Sequence, residues 1–274
     1  MNHPKSSMGS RRLVETSAVT WIDLLGYGAM LRQVGFDPTE ELAQKALQRL
    51  NEFHDIINKH TKKASPTLIL NDGAAIHRDL SPRANSVTFE FLYSSWILHN
   101  HIKQNELSKG YPGPRTVLAT GFRYRKHGNI KHLIDGVGKH IVNRFKDGEI
   151  SIEHAVYSAL AIRSQVGLVP ELQANFAFSK AYLAESSGSK NGFEGANFFV
   201  DLNVFTDKIP AWIDLDEPFK WEVDGMQAHF SKVNGISLAE AKYSNFHGIK
   251  DAFEIAEDLS NSEEIVKKLK ALRT

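Results

Sequence analysis

The stretch that decides the fold is Ala18 to Gly28, which has the sequence AVTWIDLLGYG. Apart from Asp23, its first half is apolar or β-branched, and Gly26 and Gly28 close it. Such a run predicts a buried strand over residues 18–25 that ends in a glycine turn. An ionised carboxylate inside a buried strand costs desolvation free energy unless another group pairs with it. Asp23 is therefore a candidate functional residue.

A second acidic residue stands between two further apolar runs. Residues 67–71 read TLILN, Asp72 and Gly73 follow, and AAIHRD comes next. This pattern predicts a hairpin with Asp72 at its tip. If the hairpin lies beside the first strand, Asp23 and Asp72 project from the same edge of a sheet. Two alternatives stay open, because Asp before Gly is also common in type I′ turns and Asp23 could bond to a helix end.

The remaining elements follow from hydrophobic periodicity and from capping signals. Helices are predicted over residues 38–60, 84–108, 152–164 and 171–185. Strands are predicted over residues 67–71, 115–124, 197–205 and 219–233, the last with an interruption at Gly225. Residues 125–150 are interpreted as helix or loop, and the chain from about residue 237 as helical.

The order strand, helix, hairpin, helix, strand predicts an α+β fold. A β-α-β-β-α-β core indicates the ferredoxin-like palm, an antiparallel sheet with helices on one face. We expect an N-terminal arm at residues 1–15, one catalytic domain at 16–235 with an insertion, and a helical C-terminal tail at 236–274.

Composition excludes several functional classes. The 274 residues carry 33 Lys and Arg against 32 Asp and Glu, so bulk charge does not favour nucleic acid or an anionic membrane as a partner. The absence of cysteine removes disulfides, thiolate metal sites and thiol nucleophiles. No apolar run approaches the roughly 20 residues of a membrane helix, and the first residues lack the apolar core of a signal peptide. A cytoplasmic protein is expected.

The two aspartates suit a hard metal ion. Carboxylate oxygens without thiols favour Mg²⁺ or Mn²⁺. Two such ions could clamp a nucleoside triphosphate and activate an oxygen nucleophile. The turn at Leu25 to Gly28 could bring backbone N–H groups to phosphate oxygens.

The sequence resembles that of the class III nucleotidyl cyclases. WIDLLGYG resembles their first-strand metal motif, and LILNDGAA resembles their second, in which an aspartate tips the hairpin. LQANFAFSKAYLAE resembles their later helix with its asparagine and basic residue, and RTVLATGFRY stands in the place of their fourth strand. The resemblance covers roughly residues 15–205 in order. It is greatest to the stand-alone pyrimidine cyclases of bacterial Pycsar anti-phage systems.

The resemblance implies a site and a reaction. Asp23, Ile22 and Asp72 would bind two Mg²⁺ or Mn²⁺ ions. The ribose 3′-hydroxyl would attack the α-phosphorus and release pyrophosphate, in a site formed between the two subunits of a homodimer. The triphosphate would be held by the backbone after the first aspartate, at Leu24, Leu25, Gly26, Tyr27 and Gly28.

The later helix departs from the family pattern. Four residues after Asn175, where the family has arginine, stands Ser179, and the base is Lys180. The resemblance assigns Asn175 and Lys180 to catalysis, with Lys180 alternatively a surface lysine. Arg123 and Lys208 are further phosphate candidates.

The base-reading position also departs from the family pattern. Leu68 occupies the place where adenylyl cyclases carry an adenine-reading lysine. This weakens an ATP assignment and is compatible with a pyrimidine.

Three functions remain in contention. The first is a cyclase that makes a cyclic nucleotide, from UTP or CTP, as an anti-phage signal. The second is a catalytically silent cyclase-like module that binds nucleotide and regulates a partner. The third is a metal-dependent phosphotransferase or nuclease on the same palm.

Overall fold

The computed structural model describes residues 14–62, 64–124, 129–165, 169–260 and 262–271. The described residues fall into two compact units, one of residues 14–123 with 175–271 and one of residues 124–174. Most of the expected N-terminal arm lies outside the described residues.

The larger unit carries the sheet and most of the helices. Its elements are β1 (Val14–Leu24), α1 (Tyr27–Gln33), α2 (Glu41–His60), β2 (Thr67–Leu70), β3 (Gly73–Asp79), α3 (Ser86–Leu107), β4 (Pro114–Tyr124), α6 (Phe176–Ser187), β5 (Phe198–Asp201), β6 (Ile213–Leu215), β7 (Phe219–Val223), β8 (Met226–Ile236), α7 (Leu238–Tyr243), α8 (Ala252–Leu259) and α9 (Glu263–Lys270). The smaller unit contains α4 (Asn129–Lys146) and α5 (Ile152–Gln165), which pack against each other.

The strand order confirms the predicted α+β palm. The sheet runs β2-β3-β1-β4-β5-β8-β6, and β7 pairs with β8. Its first four strands, with α1 and α2 before the hairpin and α3 after it, are the β-α-β-β-α-β core in ferredoxin-like order. β1 is antiparallel to β3, whereas β4 and β5 are parallel, so the whole sheet is mixed.

β1 lies between β3 and β4, and both of its faces are covered. Ile22 and Leu24 belong to the main core cluster, which also contains Phe53 of α2 and Leu92 of α3. Successive strand residues point to opposite faces, so Trp21 and Asp23 share the other face. There α6 lies on the sheet, and its Phe178 and Tyr182 contact the Trp21 ring.

α6 sits very close to β4, and a glycine makes this possible. A Cβ atom at Gly121 would stand 2.5 Å from the backbone nitrogen of Ala177. Only glycine allows the helix backbone to approach the strand this closely. The later helix of the sequence is thereby fixed on the face of the sheet that carries Asp23.

Several predicted boundaries were wrong for local reasons. The Asp37 carboxylate accepts from the N–H and hydroxyl of Thr39 in a turn, so α2 begins at Glu41 instead of residue 38. The helix predicted from residue 171 begins at Phe176, because Ala174 adopts a positive φ of 48° and Asn175 caps the helix. The short helix α1 was not predicted, since Gly26 and Gly28 indicated only a turn.

The late strands also differ from the prediction. Residues 219–233 form a hairpin of β7 and β8, because Asp224 and Gly225 both have positive φ, as a type I′ turn requires. β5 ends at Asp201, whose carboxylate accepts from the N–H of Asn203 and starts a 3-10 turn.

Of the described helices, none has the length and apolarity to cross a membrane.

Candidate active site

Asp23 and Asp72 meet at one end of the sheet. Asp23 stands opposite Gly73 in the β1–β3 ladder, so it is beside the turn that carries Asp72. The N–H of Leu24 donates to the Asp72 carbonyl at 3.0 Å and ties the turn to the end of β1. The register therefore places the two predicted carboxylates together.

The turn itself does not require an aspartate. Its positive φ is at Asn71, at 53°, and Gly73 is not in the left-handed region. Gly73 is needed for another reason, since a Cβ there would stand 2.6 Å from Cζ2 of Trp21. Asp72 accepts a hydrogen bond from Asn71 at 3.1 Å and is otherwise half-buried. Turn geometry accounts for Asn71 and the Trp21 ring accounts for Gly73, whereas neither requires an aspartate at position 72.

The Asp23 carboxyl group has no paired cation among the described residues. Burial, and to a smaller extent the nearby carboxylates of Glu185 and Asp72, raise its pKa to about 7, against the opposing effect of Arg115 and Arg49. Among the described residues neither Asp23 nor Asp72 forms an ion pair. A crowded carboxylate of this kind favours a bound cation over a bare ionised state.

The two arginines near Asp23 are held by other partners. Arg115 donates from Nε to Glu185 at 2.8 Å and from Nη1 to the Phe193 carbonyl at 2.8 Å. Arg49 is buried, donates from Nε to Glu106 at 2.7 Å and from Nη2 to the Leu25 carbonyl at 2.9 Å. Both guanidinium groups make the electrostatic potential at Asp23 less negative, but neither bonds to an aspartate.

These residues fit a site for one or two hard divalent cations. Mg²⁺ is commonly held by one or two carboxylates, with substrate phosphates and water completing its octahedron. The described residues contain no cluster of three or more His, Cys, Asp or Glu side chains placed to bind a metal ion. Ile22 is fully buried opposite Ala74, so only its backbone carbonyl is available as a ligand.

The turn after Asp23 offers fewer N–H groups than the sequence suggested. The N–H groups of Leu24 and Leu25 donate to the carbonyls of Asp72 and Gly113, so they are not free to bind phosphate. Among the described residues no backbone carbonyl accepts from the N–H groups of Gly26, Tyr27 or Gly28, at the start of α1. Only this second group can meet an anion.

A mostly buried apolar row of the sheet adjoins the carboxylates, with Trp21 5% exposed and Ala75 fully buried. Leu68 stands opposite Ala75, and Ala75 stands opposite Trp21, so the three residues share the sheet face of Asp23. Trp21 packs edge-on against Tyr182, with ring centroids 5.2 Å apart. The position from which the base specificity was inferred therefore lies on the same face as Asp23, one row away.

Asn175 is not near the aspartates within one chain. Its side chain caps α6 by accepting from the Phe178 N–H at 3.1 Å, and it also accepts from the Ser17 hydroxyl at 3.2 Å. Ser17 precedes Asp23 by six residues on β1, which corresponds to about 20 Å. Within one subunit, Asn175 and Asp23 cannot contact the same nucleotide.

The basic candidates also point elsewhere. Lys180 is buried and pairs with Asp201 at 2.8 Å. Arg123 donates to Asp79 at 2.9 Å and to Glu15 at 2.9 Å, at the opposite end of β1 from Asp23. Both residues, predicted to contact substrate in a site between two subunits, are engaged by carboxylates of their own chain in this structure.

Lys208 is exposed on the loop between β5 and β6. Like the other basic candidates, it is not among the charges that act on Asp23. The structure therefore places it as a surface lysine.

Sequence reasoning missed the charges that surround Asp23. Arg115 and Glu185 lie at the start of β4 and near the end of α6, and Arg49 lies within α2. No local sequence pattern marked them, but in the structure β4 runs antiparallel to β1, since Leu25 contacts Gly113 and Ser17 contacts Gly121. The first residues of β4 must therefore lie at the Asp23 end of the sheet.

Comparison with known proteins gives a limited result. No protein-family model matches the sequence, and no curated protein matches it. The structure is similar to the guanylyl cyclase Cya2, with a TM-score of 0.45 and 11% identity over 82% of this chain and 94% of that one. It is also similar to the guanylate cyclase domain of RhGC from Catenaria anguillulae in complex with GTP, with a TM-score of 0.41 and 8% identity over 81% and 98%. A dimeric guanylyl cyclase domain from Blastocladiella emersonii gives 0.39 and 9% over 81% and 98%. At these scores the likeness carries no conclusion on function.

Proposed function

We propose that this protein is a nucleotidyl cyclase that converts a pyrimidine nucleoside triphosphate into its 3′,5′-cyclic monophosphate and pyrophosphate. The observation that carries the proposal is the juxtaposition of Asp23 and Asp72 at the end of a palm sheet, without a counter-ion. Burial and neighbouring carboxylates raise the pKa of Asp23 to about 7, so its ionised form is disfavoured unless a cation pairs with it.

The chain's own residues would do three things in this reaction. Asp23 and Asp72 would hold two Mg²⁺ or Mn²⁺ ions, with the Ile22 carbonyl as a further ligand. These ions would supply charge neutralisation for the triphosphate and a lowered pKa for the ribose hydroxyl. The N–H groups of Gly26, Tyr27 and Gly28 would bond to phosphate oxygens, and Leu68 with Trp21 would lie along the base.

The bond changes balance without a further reactant. The ribose O3′ forms a bond to the α-phosphorus, the bond from that phosphorus to the bridging oxygen of the β-phosphate breaks, and pyrophosphate leaves. The proton of the 3′-hydroxyl passes to water. The work of the protein is positioning and electrostatic stabilisation.

The pyrimidine part of the proposal rests on Leu68. This side chain cannot donate a hydrogen bond to an adenine ring, and it lies on the same face as Asp23. A role as an anti-phage signal synthase rests on the sequence resemblance alone. A homodimer is part of the proposal and rests on the sequence resemblance, which implies a site between two subunits.

A second candidate function, a silent module that binds nucleotide without turnover, is favoured by the contacts of Lys180 and Asn175. Lys180 and Asn175, which the sequence assigned to catalysis, are engaged in an ion pair and a helix cap. A protein that binds nucleotide at Asp23 and Asp72 but does not turn it over would keep the site and lack the chemistry. Binding of nucleotide with Mn²⁺ and no product would support this silent module.

The deciding experiment is a product assay. The wild-type protein and Asp72→Asn are incubated separately with ATP, GTP, CTP and UTP and with Mg²⁺ or Mn²⁺, and the products are resolved by chromatography and mass. Asp207→Asn, at an exposed loop position, is the matched control. A cyclic pyrimidine product that Asp72→Asn abolishes and Asp207→Asn keeps supports the proposal. A cyclic purine contradicts the substrate, and pyrophosphate without a cyclic product indicates a phosphotransferase or nuclease.

A further inference from the structure

The indole nitrogen of Trp21 has an unusual environment. Trp21 is only 5% exposed, and its Nε1 atom has no hydrogen-bond partner among the described residues. Buried donors in folded proteins are nearly always paired, so an orphaned one needs an explanation. A phenylalanine would fill much of the same space without an unpaired polar atom.

The orphaned donor lies beside the two aspartates. Cζ2 and Cη2 of Trp21 occupy the space that a Cβ at residue 73 would need. Nε1 and Cζ2 are bonded to the same ring carbon, so the N–H is at the edge of the ring that overlies Gly73. Gly73 stands opposite Asp23 in the ladder. The donor is thus on the face and in the row where the proposed metal site lies.

Other orphaned polar side chains do not share this position. Nδ1 of His77 and Oγ1 of Thr88 are also without a partner among the described residues, whereas Nε2 of His77 lies 3.0 Å from Asp79. His77 stands opposite Val19, four residues from Asp23 along β1, and Thr88 is on α3, on the opposite face of the sheet. The Trp21 N–H is the one of these groups that adjoins the carboxylates.

A half-exposed ring covers Trp21. Tyr182 of α6 meets the indole edge-on, with centroids 5.2 Å apart, and is itself 45% exposed. Phe178 forms a second wall at 6.0 Å. Side chains with exposed surface change rotamer within nanoseconds. Of the two rings, Tyr182 is the more exposed, so it is the one whose turn about χ1 would loosen the cover of the indole.

We propose that the Trp21 N–H donates a hydrogen bond to a carbonyl oxygen of the nucleotide base, after Tyr182 has turned aside. This inference rests on the proposed function. Phosphates would lie at the aspartates, so the base would lie toward half-buried Leu68, which shares the row of Trp21 and of fully buried Ala75. Uracil and cytosine each offer a ring carbonyl to a single N–H donor, whereas adenine has none.

The test observes the indole N–H directly. The protein contains four tryptophans, so the ¹⁵N–¹H spectrum has four indole signals, and Trp21→Phe identifies one of them. The probe is α,β-methylene UTP with Mg²⁺, which cannot release pyrophosphate. Trp212 and Trp221 serve as internal controls, because their N–H groups already donate to the His247 carbonyl at 3.0 Å and the Ser187 hydroxyl at 3.1 Å.

The expected result is a downfield shift of the Trp21 signal with the two control signals unchanged. Trp21→Phe should weaken binding of the analogue about 5- to 30-fold, as the loss of one hydrogen bond implies, whereas Trp221→Phe should not. Tyr182→Ala should speed solvent exchange of the Trp21 N–H in the absence of nucleotide. If Trp21→Phe does not fold, the signal is assigned by elimination with single substitutions of the other three tryptophans.

Failure of the Trp21 inference and failure of the proposed function give different results. If calorimetry shows that the analogue binds the wild-type protein and loses affinity in Asp72→Asn, but the Trp21 signal stays in place, the inference is overturned and the proposed function stands. Equal affinities of the wild type and Trp21→Phe would have the same meaning. If the wild-type protein does not bind the analogue, or any of the four triphosphates, the proposed function fails and the inference with it.

Discussion

Lys180 and Asp201 form a buried ion pair, with Nζ and Oδ2 2.8 Å apart. The same Asp201 oxygen accepts from the backbone N–H of Thr120 at 3.1 Å and from its hydroxyl at 2.9 Å. The pair therefore joins α6 to β4 and β5. The lysine that the sequence assigned to phosphate binding serves here to hold a helix on the sheet.

Lys180→Ala should lower the free energy of unfolding by about 3 kcal/mol, because it leaves the Asp201 charge buried without a partner. Denaturant unfolding followed by circular dichroism measures this change. Lys208→Ala, at an exposed position, should change stability by less than about 0.5 kcal/mol. A Lys180→Ala protein of full stability and no turnover would show that Lys180 acts in catalysis.

Asn175→Ala should destabilise the protein by about 1–2 kcal/mol, since it removes the cap of α6 and the acceptor for the buried Ser17 hydroxyl. Asn175→Asp keeps an acceptor at both contacts and should restore most of the stability. Thermal unfolding of the two variants tests this. Loss of turnover in both variants at normal stability would instead place Asn175 in the active site of a partner subunit.

Gly73→Ala should be destabilising by about 1–3 kcal/mol, because its Cβ would overlap Cζ2 and Cη2 of Trp21. Gly235→Ala is the matched control, since it is also a strand glycine and its nearest foreign atom would be 3.9 Å away. The double variant Trp21→Leu/Gly73→Ala should lose less than the sum of the two single changes. Additive losses would contradict a direct clash.

Asp23→Asn should make the protein more stable at neutral pH when no divalent cation is present. The pKa of Asp23 is raised from 3.8 to about 7, so between these values the folded state holds a proton that the unfolded state has lost. Stability contributed by this group is therefore present below about pH 4 and declines as pH rises to about 7. The full difference is at most about 4 kcal/mol.

The measurement is the difference in unfolding free energy between wild type and Asp23→Asn from pH 4 to 8. The difference is needed because buried His99, whose pKa is lowered to about 3 by burial and by Lys103, gives the opposite slope in both proteins. Added Mn²⁺ should stabilise the wild type at pH 8 and leave Asp23→Asn unchanged. A wild type that does not respond to Mn²⁺ would argue against a metal site.

Much of the site was accessible from sequence because it depends on local pattern. Asp23 is conspicuous inside an apolar strand, and Asp72 falls between two strand-forming runs. Their meeting needed only the hairpin next to β1. The surrounding charges, Arg49, Arg115 and Glu185, come from three other elements, and no local pattern marks them. Their role is set by which ends of those elements reach the same edge of the sheet.

The palm and the positions of its two aspartates could be predicted from local sequence, because hydrophobic period and turn chemistry act over a few residues. The bonds that hold Asn175, Lys180 and Arg123 depend on tertiary packing between distant elements. The sequence pattern around a polar side chain on a helix or strand is the same whether that side chain binds a ligand or a buried partner. Its partner is decided by packing, as when α6 lies against Gly121 and brings Lys180 within reach of Asp201.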